Sequence, residues 1–300
     1  MRTLRAIGLA LCLAAGLSLA TQVHAAPPRQ HALAIDGFAV TVWEKSARNP
    51  RTSVLLVHGR TWSALPNFDL QVPGEERSVL DALATRGFAA YAIDLRGYGA
   101  TPRDPSGWLT PQRAADDVAA ALRWIRGRHP GIPKPALLGY SRGAHVSLFA
   151  IQQHPDLVSA LVLYGLPPIE GFPASVPPAE PPRRPTTREA AVEDFITPGA
   201  ASPAVVAAYA DQAVLANPVR MDWRDEHQFV FDAAKVSVPT LIIYGVNDRL
   251  RSDATLAFFG RLATPDRAFV VLPHSDHAAH VESAQVAWLN AIETFISTPR

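Results

Sequence analysis

The sequence predicts an α/β fold, with a mostly parallel central sheet flanked by helices. Short apolar runs of strand length recur at 53–57, 89–95, 135–140, 160–164, 239–244 and 268–272, and the last three are closed at once by glycine or proline. Stretches with apolar residues at helical spacing alternate with them, at 77–86, 111–128, 141–153 and 285–296. Such alternation belongs to βαβ units. The 300 residues are 48% hydrophobic, enough for one large α/β domain or a domain with an insertion.

The first segment stands apart from the fold. Residues 1–25 begin with Arg2 and Arg5, run through an almost wholly apolar stretch over 7–20 and end at Val23-His24-Ala25. This is the pattern of a secretory signal peptide cut near Ala25, which makes the protein periplasmic or extracellular. The apolar run is shorter than the roughly 20 residues of a spanning helix, so no stable membrane anchor is expected. Leu11 before Cys12 argues against lipoprotein processing, which needs a small residue there. Cleavage removes Cys12, the only cysteine, and leaves 26 basic against 27 acidic residues, a net of −1. The mature chain then has neither a disulfide nor a thiolate zinc site. Near-balanced charge without a basic run excludes nucleic acid as an expected partner.

The core begins with a hairpin-like region around 38–43, F-A-V-T-V-W, and Asn49-Pro50 marks a turn. The runs S-V-L-L-V, A-A-Y-A-I-D-L, A-L-L-G-Y, A-L-V-L-Y, P-T-L-I-I-Y and A-F-V-V-L are apolar at both alternating sets of positions. That fits strands buried on both faces of a parallel sheet. In the helical stretch 111–128, Thr110 is placed to cap, proline opens the first turn, and Ala115, Val118, Ala119, Leu122 and Ile125 form one face. The rhythm breaks after 165. Residues 166–185 hold eight prolines, which exclude regular helix or central strand. Helical character returns at 187–196 and 203–216, and the strand pattern at 236. The expected organisation is therefore a core of 26–165 and 236–300, with 166–235 inserted as a lid or cap.

The chemistry starts at Gly139-Tyr140-Ser141-Arg142-Gly143, a G-x-S-x-G between the strand A-L-L-G-Y and the helix that follows. In strand–turn–helix context this pattern places a serine at a sharp corner with its oxygen exposed, and the glycines allow close approach on both sides. A nucleophilic serine needs a base, and the base needs an orienting acid. Asp248 sits just past the strand T-L-I-I-Y, where strand ends face the ligand crevice. The loop after A-F-V-V-L offers three histidines: His274, His277 and His280.

Taken with His58-Gly59-Arg60, Asp94-Leu95-Arg96-Gly97-Tyr98-Gly99, Tyr244-Gly245-Val246-Asn247-Asp248 and the stretch from Asp276 to Glu282, these residues resemble the α/β-hydrolase superfamily. The likeness is to its lipase, esterase and epoxide-hydrolase side, with a lid after the sixth strand. It spans most of the mature chain in the right order. It implies a triad of Ser141, Asp248 and His277, since relatives place the catalytic histidine five residues before a glutamate, here Glu282. Asp276 stands where relatives have glycine. The resemblance also implies an oxyanion hole from the backbone N–H groups of Arg142 and Arg60, with Thr61 as the fallback. The two arginine side chains beside it either attract a substrate carboxylate or remain solvated, and solvation is the simpler expectation. Asp94 matches a structural turn, His58 a support of the oxyanion loop, and His145 a packed histidine. Trp62, Tyr140 and Trp223 are candidate pocket residues, with core packing as the alternative for each.

The expected activity is acyl transfer from a small or medium carboxylic ester to water, with lactones and thioesters in reach. It needs neither metal nor cofactor. Aspartate replaces the serine in epoxide hydrolases and haloalkane dehalogenases, so Ser141 argues against these. Prolyl aminopeptidases, carbon–carbon bond hydrolases and cofactor-free perhydrolases share the triad. A non-catalytic binding protein would normally have lost a triad member, and none is lost here.

Overall fold

A computed structural model describes residues 26–172 and 176–298. The segment read as a signal peptide, 1–25, lies outside the described residues. The chain opens with an antiparallel hairpin, β1 (Arg29–Ile35) and β2 (Phe38–Ser46). Asp36 and Gly37 link them with φ of 51° and 78°, the primed turn an Asp-Gly pair favours. Then follow β3 (Thr52–Val57), α1 (Ala64–Phe68), α2 (Val79–Thr85), β4 (Phe88–Asp94), the two-residue β5 (Trp108–Leu109), α3 (Pro111–Arg128), β6 (Ala136–Tyr140), α4 (Arg142–Gln153) and β7 (Leu161–Tyr164). Next come α5 (Arg188–Val192), α6 (Pro203–Ala216) and β8 (Asp222–Trp223). The chain closes with β9 (Thr240–Gly245), α7 (Asp253–Gly260), β10 (Arg267–Leu272) and α8 (Gln285–Ser297).

Eight strands form one sheet in the order β1-β2-β4-β3-β6-β7-β9-β10. From β4 to β10 every pairing is parallel. Alternate side chains leave opposite faces of each strand and feed two cores. Leu55, Tyr91, Leu137 and Ile242 pack with α3 and α4 on one side, while Leu56, Ala92, Leu138 and Ile243 pack with α1, α2 and α8 on the other. The central strands β3, β4, β6, β7 and β9 are buried throughout, as their unbroken apolar runs predict. β10 departs from the expectation: only Leu272 is buried, and Val271 is 40% exposed. It is the last strand of the sheet, with one neighbour and part of its surface open.

Two helices are shorter than their periodicity suggests. Ser78 caps α2 by accepting from the Asp81 N–H, so that helix starts two residues after 77. α5 ends at Val192 because the backbone beyond it turns away, and the N–H groups of Ile196 and Thr197 donate to Asp276 at 2.8 and 2.7 Å. The stretch between β7 and β9 carries α5, α6 and β8, and β8 pairs in parallel with β5. Trp62, Leu70, Ala191, Val205, Tyr209, Ala278 and Val281 form a third apolar cluster. This cluster joins the stretch to the loops after β3 and β10.

Candidate active site

Ser141 stands between β6 and α4 with φ 54° and ψ −121°, the left-handed side of the map that a non-glycine residue adopts only when surroundings impose it. The neighbouring glycines are imposed by contact. A Cβ on Gly139 would fall on the Gly143 carbonyl and 2.5 Å from Ser147 Oγ, and one on Gly143 would fall on the Val57 and His58 carbonyls. The corner is thus wedged against β3 and its own helix. Ser141 occupies the N-cap of α4, yet its hydroxyl makes no cap bond. Its N–H donates to Tyr164 O at 2.9 Å.

The loops after β9 and β10 bring Asp248 and His277 together. His277 Nδ1 donates to Asp248 Oδ2 at 2.9 Å, and Asp248 Oδ1 accepts the Leu250 N–H at 2.9 Å. Both side chains are buried. Burial alone would lower the His277 pKa. The bond to Asp248 and its charge, with Asp194 and Glu282 behind, outweigh that and hold it above the ordinary histidine value. Tyr164 fixes the loop, donating its hydroxyl to His277 O at 2.5 Å, and the Tyr140 ring lies 4.8 Å from the imidazole.

Among the described residues, the other two histidines have no acid partner in hydrogen-bond contact. His274 is exposed. His280 is fully buried between Tyr140, Tyr164 and Trp288; its Nε2 has no partner, and burial pushes its pKa down to about 3. It is a core residue.

Asp276 points away from the dyad. Its carboxylate accepts from the Ile196 and Thr197 N–H groups and from the Thr197 hydroxyl, so it ties the histidine loop to the inserted stretch. Behind it, Glu282 Oε2 accepts the Asp276 N–H at 2.9 Å, while Oε1 is buried without a partner. Burial pushes the Glu282 pKa up to about 7, against the opposing pull of that N–H. A carboxyl held above its ordinary 4.5 keeps its proton more tightly in the folded state. Its contribution is therefore complete at low pH and is lost as pH rises toward 7. Glu282→Gln keeps the acceptor and removes the ionisation. Relative to wild type it should gain up to about 3 kcal/mol between pH 5 and pH 8. Urea unfolding midpoints at the two pH values measure this, and parallel pH dependences of the two proteins would refute it.

At the other end of the site, Arg142 opens α4, so its N–H is one of the helix's uncommitted donors. Gly59 comes close enough that a Cβ there would lie 3.3 Å from Ser141 Cβ, which puts Arg60, the next residue, beside the serine. His58 holds this loop: Nδ1 donates to Gly59 O at 2.8 Å and Nε2 accepts the Leu95 N–H at 3.1 Å. Asp94 accepts from the Ala64 and Ala100 N–H groups and the Trp43 indole, all of them structural bonds.

The arginine side chains are not merely solvated. Arg60 forks onto Glu226 at 2.7 and 3.1 Å, and Arg142 reaches the same carboxylate at 2.8 Å. Arg142 also faces His145 Nδ1 at 3.3 Å, and His145 donates from Nε2 to Pro167 O. Of the candidate pocket residues, Tyr140 lies against His277. Trp223 lies under the Arg142 guanidinium with its indole donating to Tyr98, and Trp62 is packed into the third apolar cluster.

Three residues at the site escape sequence reasoning. Gly165 lies against the His277–Asp248 pair, with φ +56°. Glu226 and Asp194 come from the inserted stretch. Asp194 is accessible to solvent, yet enough protein surrounds it that lost hydration raises its pKa, with His277 and Asp248 acting in opposite senses. Only Gly165 leaves a signal, as the glycine closing a strand at the start of the insertion.

Comparison with known proteins bears on this geometry. The family model described as serine aminopeptidase, S33, matches residues 48–284. A 2-(acetamidomethylene)succinate hydrolase from Mesorhizobium japonicum is 28% identical over 235 residues, covering 70% of this chain and 78% of the relative. Among solved structures, a serine hydrolase involved in carbazole degradation superposes with a TM-score of 0.66 at 21% identity, covering 90% of this chain and 99% of its own. An E-2-(acetamidomethylene)succinate hydrolase superposes at 0.62 and 22%, covering 90% and 100%. At such identities the structural likeness speaks for the fold.

Proposed function

Because the chain belongs to the S33 serine aminopeptidase family of α/β hydrolases, we propose that it is an exported serine hydrolase cleaving a carboxylic ester. The observation that carries this reading is Ser141 on a strained, uncapped corner at the same carboxyl end of the parallel strands as the buried His277–Asp248 pair. Ser141 Oγ attacks the acyl carbon while His277 Nε2 takes its proton. Asp248 orients the ring through Nδ1 and stabilises the imidazolium. The developing oxyanion is met by the N–H groups of Arg142 and Arg60. His277 returns the proton to the leaving alcohol, and water then clears the acyl-enzyme by the same route. The stretch 166–235 acts as the lid, and residues 1–25 direct export.

The family description keeps a second reading, an aminoacyl amide, and the sequence keeps a carbon–carbon bond, each cleaved by the same residues. Both rest on the same nucleophile, so one experiment addresses the class and the bond together. A fluorophosphonate probe should label Ser141, and chromogenic esters of graded acyl length should be turned over. Labelling without ester turnover moves the assignment to amide or carbon–carbon substrates. A folded chain that neither labels nor turns over any of these is not a serine hydrolase.

A further inference from the structure

The guanidinium groups of Arg60 and Arg142 meet on the Glu226 carboxylate, with that of Arg220 within electrostatic reach of both, and the hydrolytic mechanism uses none of them. We propose that the side chains of Arg60, Arg142 and Arg220 form a carboxylate-binding subsite. Glu226 is its resident counter-ion, and a free carboxylate on the substrate displaces it. The substrate is then an ester of a dicarboxylic acid. This rests on the serine-hydrolase reading above.

The geometry is that of carboxylate recognition. Glu226 receives a two-pronged contact from Arg60, at 2.7 and 3.1 Å, and a third bond from Arg142. Planar forks of this kind match a carboxylate and hold it with direction as well as charge. Aromatic rings of Phe172, Trp223 and Phe229 lie 5.6, 5.7 and 5.3 Å from the Arg142 guanidinium and keep it in place.

The charges do not close. Arg220 lies within electrostatic reach of Arg60 and Arg142, and its side chain has no ion-pair or hydrogen-bond partner among the described residues; its Nε is buried. The nearby Asp222 is already held by Arg184 at 2.7 Å and by the Arg183 N–H. Glu226 therefore matches two of three neighbouring cations in a partly dehydrated cleft, where unmatched like charges are costly. A second carboxylate relieves that cost.

Glu226 is suited to leave. It sits on a single turn, Glu226–Gln228, presented by Asp225 at φ 57°, and its side chain remains 26% exposed. The subsite is also close to the chemistry. Arg142 follows the nucleophile directly, and Arg60 follows the glycine that touches it.

The test uses the full chain as wild type, Glu226→Gln and Arg220→Gln. Glutarate binding is followed by tryptophan fluorescence, since Trp223 lies beside Arg142. The ratio of kcat/KM for 4-nitrophenyl hydrogen glutarate to that for 4-nitrophenyl valerate is measured in parallel. Glutarate should bind wild type about tenfold more weakly after Arg220→Gln and about tenfold more tightly after Glu226→Gln, and the ratio should move in the same senses. A fixed structural ion pair predicts the opposite for Glu226→Gln, a looser site. No glutarate binding, binding indifferent to both variants, or equal binding of inorganic phosphate would overturn the subsite. If Ser141 labels and esters turn over but glutarate does not bind, the subsite fails and the hydrolase stands. If glutarate binds with the stated pattern but Ser141 does not label, the subsite stands and the hydrolase fails.

Discussion

Replacing Ser141 by alanine should cost about 10^4- to 10^6-fold in kcat, and His277→Ala should cost as much. The double variant should be no slower than either single one. The reason is that the two side chains act as one unit: without the base the hydroxyl keeps its proton, and without the hydroxyl the base has nothing to activate. What survives is the residual effect of binding and backbone donors. His280→Ala is the informative companion. His280 stands three residues from His277 and is also buried, but it contacts Tyr140, Tyr164 and Trp288, with no carboxylate in hydrogen-bond contact among the described residues. Its loss should lower stability by about 2–4 kcal/mol through the cavity left in the core. Turnover should remain within about tenfold of wild type. Steady-state kinetics and urea unfolding on the four proteins decide the matter. Equal damage from His280→Ala, or a double variant slower by the product of the single effects, would break the assignment.

The central strands and the helices α3, α4, α6 and α8 were legible because their signals are local. An unbroken apolar run, or a capping threonine before a proline, depends on neighbours in sequence. The strained corner at Ser141 was legible for the same reason: the glycines that it needs stand two residues either side. The expectation of His277 over His274 and His280 rested on the family spacing to Glu282, since all three stand in one loop and composition does not separate them. What escaped was set by distant partners. Arg60 finds Glu226 across 166 residues, and Asp276 finds Ile196 across 80. Nothing near either residue announces its partner. The exposure of β10 escaped because an edge strand and a central one can share the same apolar run, and only topology tells them apart.

Gly165→Ala should abolish most activity without abolishing the fold. A Cβ at Gly165 would lie 2.6 Å from His277 Cε1, 2.8 Å from its Nδ1 and 3.2 Å from Asp248 Oδ2. Real Cβ atoms do not approach so closely, so the imidazole must move. It has little room to do so, with the Tyr140 ring on one side and its backbone carbonyl held by Tyr164. Displacement of a catalytic group by about 1 Å costs on the order of 10^2-fold in rate. The substitution also forces alanine to φ +56°, a strain of about 1–2 kcal/mol that would lower stability wherever it occurred. Gly37→Ala separates the two effects. Gly37 has φ +78° and nothing within 4 Å of the added methyl. It lies in the β1–β2 turn, so it carries the strain without the collision. Both variants should unfold at lower urea concentration by a similar margin. Only Gly165→Ala should lose kcat/KM and react slowly with a fluorophosphonate. If Gly165→Ala retains full activity, the imidazole is not held where this packing places it. If Gly37→Ala loses as much activity, strain rather than contact is responsible. Glycine at 165 is then required by the dyad and not by the strand it ends, because the methyl it lacks would occupy the space of the base.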